Sequence, residues 1–283
     1  MVDGPAQIVL YDLDVMATEI PASCEVVAWR PPVSGIAEVF HAHLVDYRHP
    51  IHCHDTWTVC ILDEGAIGYE LAGRHRDADR QAVTILPPGV PHNGYPAARQ
   101  GSFRERNLYL ESDFLPEALI GSTADASTFE DPELWVAISR LHDCLARPDP
   151  LEVETRLALI AERFRQRLAP RTASTPVPES AVARELRDFL DGHLTTTITL
   201  AEAAALFERS IPHMVRSFSR QYAISPYAYV TGVRVSRARR LLLAGQPPAQ
   251  VALAVGFHDQ AHLTRHFKRH VSVPPREFTA KGT

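Results

Sequence analysis

The chain has 283 residues, 45% of them hydrophobic and 22% charged, which suffices for about two domains of the usual ~100 to 200 residues. No stretch approaches the ~18 uninterrupted apolar residues of a membrane helix. Met1 to Met16 carry Asp3, Asp12 and Asp14 but no basic residue, unlike the start of a secretory leader, so a cytoplasmic protein with no membrane partner is expected. The net charge of -5 hides an asymmetry: residues 1–178 hold 15 Lys and Arg against 26 Asp and Glu, a balance of -11, and residues 179–283 hold 14 against 8, a balance of +6. An anionic partner therefore belongs to the basic half.

From about Pro21 to Leu110 the sequence predicts short strands. Runs such as Thr58-Val-Cys-Ile-Leu, Ile67-Gly-Tyr-Glu-Leu and Ala82-Val-Thr-Ile-Leu are broken by Gly, Pro and Asp, the pattern of a small barrel or sandwich. Cys24, Cys53, Cys60 and Cys144 lack the CxxC spacing of a structural zinc site and are read as small buried hydrophobes. From Asp131 the period becomes helical. Asp131 and Pro132 open a helix with Leu134, Ile138, Leu141 and Leu145 on one side, and a second helix over about Leu151 to Leu168 aligns Leu157, Ile160, Phe164 and Leu168. These helices either cover the barrel or form a dimer seam.

Arg171-Thr-Ala-Ser-Thr-Pro-Val-Pro-Glu-Ser180 is polar and interrupted by proline, as in a linker. The expected division is a sheet domain over residues 1–170, a linker over 171–180 and a helical domain over 181–283. After a helix near Ala181 to Leu190, Thr199-Leu-Ala-Glu202 is a capping box for a helix ending at Phe207. Ser210 then caps a helix from Ile211 to Gln221, with Met214 and Phe218 inside. The helix-turn-helix pattern recurs: a helix over Pro248 to Val255, a turn at Gly256, and a helix capped by Asp259 that runs to about His270. Between the two units Ser225-Pro226 starts a helix reaching about Ala244, ~28 Å at 1.5 Å per residue. That is close to the ~34 Å between successive major-groove faces.

Arg237-Ala-Arg-Arg-Leu-Leu-Leu, then Val251-Ala-Leu-Ala-Val-Gly-Phe-His-Asp-Gln-Ala-His-Leu-Thr-Arg-His-Phe-Lys268, then Val273-Pro-Pro-Arg-Glu-Phe278 resemble the signature of AraC-type transcription regulators over residues 181–280. In that family the second helix of each unit enters the major groove. The resemblance thus implies DNA contacts from Pro212, His213, Arg216 and Arg220 in the first unit and from Gln260, His262, Arg265 and Lys268 in the second. Arg and Gln can make paired bonds to guanine and adenine, and the remaining cations neutralise phosphates. Ile211-Pro212 and Ala261 depart from the usual polar pattern, so the second unit is expected to carry more of the specificity.

The run Pro50-Ile-His52-Cys-His54-Asp-Thr-Trp57, followed by Gly65 and by Pro87-Pro-Gly89-Val-Pro-His92, resembles the two cupin motifs, and AraC-type sensor domains are similar to cupins. The resemblance implies a multidomain fold: an all-β cupin-like barrel with trailing helices, then an all-α domain with two helix-turn-helix units. It also implies that His52, His54 and His92 share one pocket, to which Trp57 and Tyr69 are added as amphipathic lining. Three imidazoles suit a divalent transition metal. Cupin enzymes add a glutamate where this chain has Thr58, and Glu64, Cys60 or a ligand atom are the open substitutes. His41 and His43 alternate on one strand and are read as surface or pocket lining.

No phosphate loop, GxSxG elbow or paired carboxylates occur at motif spacing, so catalysis is not expected. The reading is a homodimeric DNA-binding regulator answering to a small-molecule effector. Its alternatives are a metal-responsive regulator using His52, His54 and His92, or a cupin metalloenzyme fused to a DNA-binding domain.

Overall fold

A computed structural model describes residues 24–98, 101–146, 148–169, 180–196 and 199–280. The leader reading over Met1 to Met16 and, Ser180 apart, the linker lie outside the described residues. The strands are β1 (Glu25–Trp29), β2 (Ile36–Val45), β3 (His49–His52), β4 (Trp57–Glu64), β5 (Ala66–Leu71), β6 (Arg74–Asp79), β7 (Ala82–Leu86), β8 (His92–Pro96), β9 (Ser102–Leu110) and β10 (Thr128–Glu130). The helices are α1 (Ile120–Asp125), α2 (Pro132–Cys144), α3 (Pro150–Leu168), α4 (Ala181–Gly192), α5 (Leu200–Leu206), α6 (Ile211–Tyr222), α7 (Pro226–Leu243), α8 (Pro248–Ala254), α9 (Gln260–Val271) and α10 (Pro275–Ala280).

All strand pairs are antiparallel and make a six-stranded sheet ordered β1-β2-β9-β4-β7-β10 and a four-stranded sheet ordered β3-β8-β5-β6. This is the cupin-like architecture expected of the N-terminal half, with the strands in two sheets rather than one closed ring of pairings among the described residues. Strand β4 explains why its sequence reads as a continuous apolar run. Trp57, Val59 and Ile61 join the core beneath α2 and α3, while Cys60 and Leu62 join the core between the sheets. Successive side chains point to opposite faces, and both faces are covered.

Helices α2 and α3 bury their apolar stripes against the outer face of the six-stranded sheet through Leu134, Ile138, Leu141, Leu145, Ile160, Phe164 and Leu168. Covering the sheet is thus the use these stripes find within one chain. Asp131 locks the arrangement: its carboxylate caps α2 by accepting from the Leu134 amide at 3.1 Å and pairs with Arg163 and Arg167 of α3 at 2.7 and 2.8 Å. Of the cysteines, Cys53 and Cys60 are buried as expected, whereas Cys24 and Cys144 are only partly so. Cys144 sits near a helix end, where its thiol donates to Glu152.

In the helical half the predicted caps form at Thr199, with its reciprocal Glu202 bond, and at Ser225 and Asp259. Ser210 is placed as the cap of α6 but makes no side-chain bond; Pro212, at the second helical position, has no N–H to offer it. The α5–α6 turn passes through Glu208 at φ 52°, and the α8–α9 turn through Gly256 at φ 92°. A Cβ on Gly256 would lie 2.3 Å from the Leu194 carbonyl oxygen, so that turn closes only on glycine.

The Asp131 network generates a stability prediction. Burial by itself would raise the Asp131 carboxyl, but hydrogen bonds from Arg163, the Leu134 amide and Arg167 outweigh it and bring the pKa to about 2. Its contribution is therefore complete above the unfolded value of ~3.9 and disappears as pH falls through about 2. Asp131→Ala should cost ~2–4 kcal/mol in denaturant titrations at pH 7, and a difference below ~0.5 kcal/mol from wild type would contradict this role.

Candidate functional site

Strands β3 and β8 pair with His52 opposite His92, and the loop after β3 returns His54 beside them. Ring centroids lie 4.5 Å apart for His52 and His92, 4.7 Å for His54 and His92, and 5.8 Å for His52 and His54. One ligand atom from each falls within 4.8 Å of the other two. Each Nδ1 meets a main-chain carbonyl oxygen: His52 that of Pro50 at 2.8 Å, His54 that of Thr56 at 3.2 Å and His92 that of Val90 at 3.0 Å. A carbonyl only accepts, so each ring carries its proton on Nδ1 and keeps a lone pair on Nε2. Burial, followed by repulsion from the neighbouring imidazoles, holds His52 well below its ordinary pKa, and burial brings His92 to about 4. All three imidazoles are neutral at pH 7. Thr58, where the motif resemblance implies a glutamate in cupin enzymes, has its Oγ1 3.2 Å from His54 Nε2.

The inner face of β9 continues this polar surface. Burial raises the Glu105 carboxyl to about 7, and the Asn107 side-chain oxygen is buried without a partner among the described residues. Glu38 of β2 and Tyr109 of β9 lie beyond them. A cavity lined by Glu38, His52, His54, Tyr109, Arg239 and His270 has only about 20 Å³ of room. That admits a water or an ion, whereas organic ligand sites take ~300–1,000 Å³.

The far wall of this cavity comes from the helical domain. Arg239 of α7 makes a bidentate pair with Glu38, its Nε 3.1 Å from one carboxylate oxygen and its Nη2 against the other, and donates to the Tyr109 hydroxyl at 3.0 Å. Its guanidinium lies over Tyr109, Phe40 and Phe278 at 4.2, 5.0 and 5.7 Å. Burial pushes the Glu38 carboxyl up, and the facing guanidinium offsets that push; the bidentate geometry keeps the pair ionised. Arg240 pairs with Asp55 at 2.7 Å nearer the surface. Strand β3 and the turn before it also hold the end of α9: Tyr47 donates its hydroxyl hydrogen to the Arg269 carbonyl at 2.5 Å, and His49 Nδ1 meets the His270 carbonyl at 3.2 Å. Gly232 lets α7 lie against β3, since a Cβ there would come within 3.1 Å of the Cys53 nitrogen and of His52 Cβ.

The structure brings His52, His54 and His92 together and leaves the other expected lining residues out. Trp57 shares the outer face of β4 with Val59 and Ile61, is fully buried under α2 and α3, and donates to the Ser112 carbonyl at 3.3 Å. Tyr69 does lie between the sheets, but its hydroxyl is taken by Ser127 and Thr128. Both residues are therefore core rather than cavity lining. Glu64 is exposed beside Arg104, and Cys60 faces Glu105, so neither supplies a fourth ligand. His41 and His43 are both half-buried, His41 packing against His142 and Trp29, and neither lines the cavity. Sequence reasoning missed Glu38, His49, Tyr109, Arg239 and His270. One signal was available: Arg239 and His270 fall at helical spacing within the apolar stripes Val235-Ala238-Leu242 and Leu263-Phe267, positions where a polar residue needs a buried partner.

In the helical domain Pro212, His213, Arg216 and Arg220 of α6 and Arg265 and Lys268 of α9 are exposed. Gln260 and His262 are half-buried, the His262 ring lying 4.9 Å from His266 and 5.2 Å from Phe257. His262 is thus partly a packing residue rather than a fully outward one.

Glu38→Gln leaves Arg239 buried without its counter-charge, and chemical denaturation of the full chain should show a loss of ~3–5 kcal/mol. Unchanged stability would mean that the seam does not bury this charge in solution.

Residues 35–161 match the model for an AraC-like ligand binding domain, and residues 203–281 the model for a helix-turn-helix domain. The HTH-type transcriptional regulator YbfI of Bacillus subtilis is 30% identical over 133 residues, covering 46% of this chain and 48% of that protein. The activator RhaS of Klebsiella pneumoniae is 26% identical over 158 residues, 52% and 57% of the two chains. The arabinose operon regulatory protein of Salmonella typhimurium is 28% identical over 127 residues, 43% and 44%. The chain thus spans about half the length of the curated relatives it matches. ToxT of Vibrio cholerae, in its structure with (E)-4-(8-methylnaphthalen-1-yl)but-3-enoic acid, superposes with a TM-score of 0.57 at 10% identity over 92% of this chain and 99% of that one, a likeness of fold. With a ligand binding module of the AraC kind preceding a helix-turn-helix module, the chain belongs to the AraC-type family.

Proposed function

We propose that the chain is a transcription regulator that binds double-stranded DNA through both helix-turn-helix units and senses its signal at the seam between its domains. The observation that carries the reading is the two-sided use of the helical domain. Its inner side packs on the sheets through α7 and the end of α9, while Arg216, Arg220, Arg265 and Lys268 face out from α6 and α9. Helix α7, with 18 residues and so ~27 Å long, separates the two units and suits two successive groove faces on one side of DNA. The functional division remains residues 1–170 for sensing, 171–180 as linker and 181–283 for DNA. The curated relatives are transcriptional regulators, which favours a regulator over an enzyme. No helix among the described residues is long and apolar enough to cross a membrane, and a cytoplasmic location follows from the role proposed. Dimer pairing on α2 and α3 would rest on the outward Val136, Leu151 and Leu159, since the main stripes of both helices are turned inward.

A second reading is favoured by the cavity itself. His52, His54 and His92 bring one ligand atom each within 4.8 Å of the others, and the adjoining cavity, lined by His52 and His54, has room for a single ion; this fits a metal-responsive regulator better than a sensor of a bulky organic effector, which would have to open the seam to enter. The solved ToxT structures include one with bound unsaturated fatty acid, and an organic effector here would act by such an opening. In either case the signal shifts the domain arrangement only by its differential affinity for the docked and undocked states.

Gel-shift titration against the chain's own upstream DNA should show affinity falling steeply with salt; no binding to that DNA at low salt sinks the regulator reading. Arg265→Ala should weaken operator binding by ~1–3 kcal/mol, and equal affinity of the two proteins would remove Arg265 from the reading face. Metal analysis of the purified chain should find one equivalent in wild type and a loss in His52→Ala. Metal-free wild type, even after incubation with excess Zn²⁺, would eliminate the metal-responsive reading.

A further inference from the structure

Resting on the metal-responsive reading, we infer that His270 of the second recognition helix is the fourth ligand, so that a late first-row divalent metal ion clamps the DNA-binding domain to the sheet domain. Four observations converge on it. The His270 ring stands perpendicular to that of His52 with centroids 5.7 Å apart. It lines the same ion-sized cavity as His52 and His54. Its Nδ1 meets the His266 carbonyl at 2.7 Å, so it too carries its proton on Nδ1 and keeps the Nε2 lone pair, the state of the other three imidazoles. Its backbone is already placed, because His49 and Tyr47 hold the carbonyls of His270 and Arg269; its ring lies outside the trio whose ligand atoms fall within 4.8 Å of one another, so joining a shared ion requires that ring to move toward them.

The donor set suits the ion. Imidazole nitrogen is the common ligand of Zn²⁺, Ni²⁺, Cu²⁺ and Co²⁺, and the histidine-to-carbonyl bonds supply the outer shell that orients such ligands. The cations lining the cavity, Arg239 and Arg240, are paired with Glu38 and Asp55, so their charges do not exclude the metal. Thr58 in place of glutamate removes the carboxylate that a cupin enzyme would contribute from the sheet domain, and the helical domain supplies an imidazole instead. The last turn of α9 then belongs to the metal site, while its first turns carry Gln260 and Arg265 toward DNA. Metal occupancy thereby fixes the orientation of the second recognition helix relative to the sheets.

The test uses the full chain stripped of metal and titrated with Co²⁺, followed by visible absorption and by competition with Zn²⁺. Wild type should bind one equivalent with the intense visible bands of four-coordinate Co²⁺. His270→Ala should lose that intensity and at least about tenfold in affinity, with its far-ultraviolet circular dichroism unchanged. His270→Cys gives a positive readout that does not depend on a loss: a thiolate at position 270 adds a sulfur-to-Co²⁺ charge-transfer band in the near ultraviolet. Retention of the wild-type spectrum and affinity in His270→Ala, or no such band in His270→Cys, overturns the clamp while leaving a metal site on the sheet domain. Absence of Co²⁺ and Zn²⁺ binding in wild type overturns the clamp and the metal-responsive reading together, and salt-sensitive promoter binding by the same preparation keeps the regulator reading separate from both.

Discussion

The buried pair of Glu38 and Arg239 is the constraint around which the two domains are arranged. A lone charge in this position would be expelled by its desolvation cost, several kcal/mol even after relaxation. Each charge is tolerated only because the other faces it, and because Tyr109, Phe40 and Phe278 enclose the guanidinium from both domains. Such a pair contributes little net stability compared with apolar packing, but it specifies one docking register. In that register α7 lies over the mouth of the sheets, Gly232 meets β3, and the last turn of α9 falls under Tyr47 and His49. The apolar core then runs without a break from Phe40 and Leu62 between the sheets to Leu242 and Phe267 of the helices.

This geometry puts the histidine strand in direct mechanical contact with α9, the helix proposed to read DNA. Strand β3 bears His52 of the site and His49 of the α9 anchor, three residues apart. A ligand that moves β3 therefore moves the end of α9 without an intervening chain of residues. The cations expected to meet DNA are exposed in this docked arrangement. Docking leaves them uncovered, so a signal would act on the orientation of the units rather than by blocking them.

Much of the fold was legible because local chemistry decides it. Asp131, Thr199, Ser225 and Asp259 cap helices where the sequence places them, and Gly256 marks the second helix-turn-helix turn. The convergence of His52, His54 and His92 followed from the motif resemblance and is met in the structure. Trp57 was misassigned to the pocket because β4 is apolar on both faces, and a run without alternation does not say which face looks inward. The seam was illegible for a different reason. The position of Arg239 in an apolar stripe shows that it needs a buried partner, but that partner, Glu38, lies 201 residues away, and His49 meets the His270 carbonyl across 221 residues; no local pattern encodes a pairing across such distances.

Native-state amide hydrogen exchange of the full chain tests the docked seam most directly. If the Glu38–Arg239 pair holds the domains as one body, the α7 amides from Gly232 to Leu242 and those in the last turn of α9 should open together with β2 and β3, at one common free energy. Exchange of α7 and α9 through an opening of lower free energy that leaves the sheets protected would show that the domains separate freely, and would contradict a seam that couples the histidine site to DNA reading.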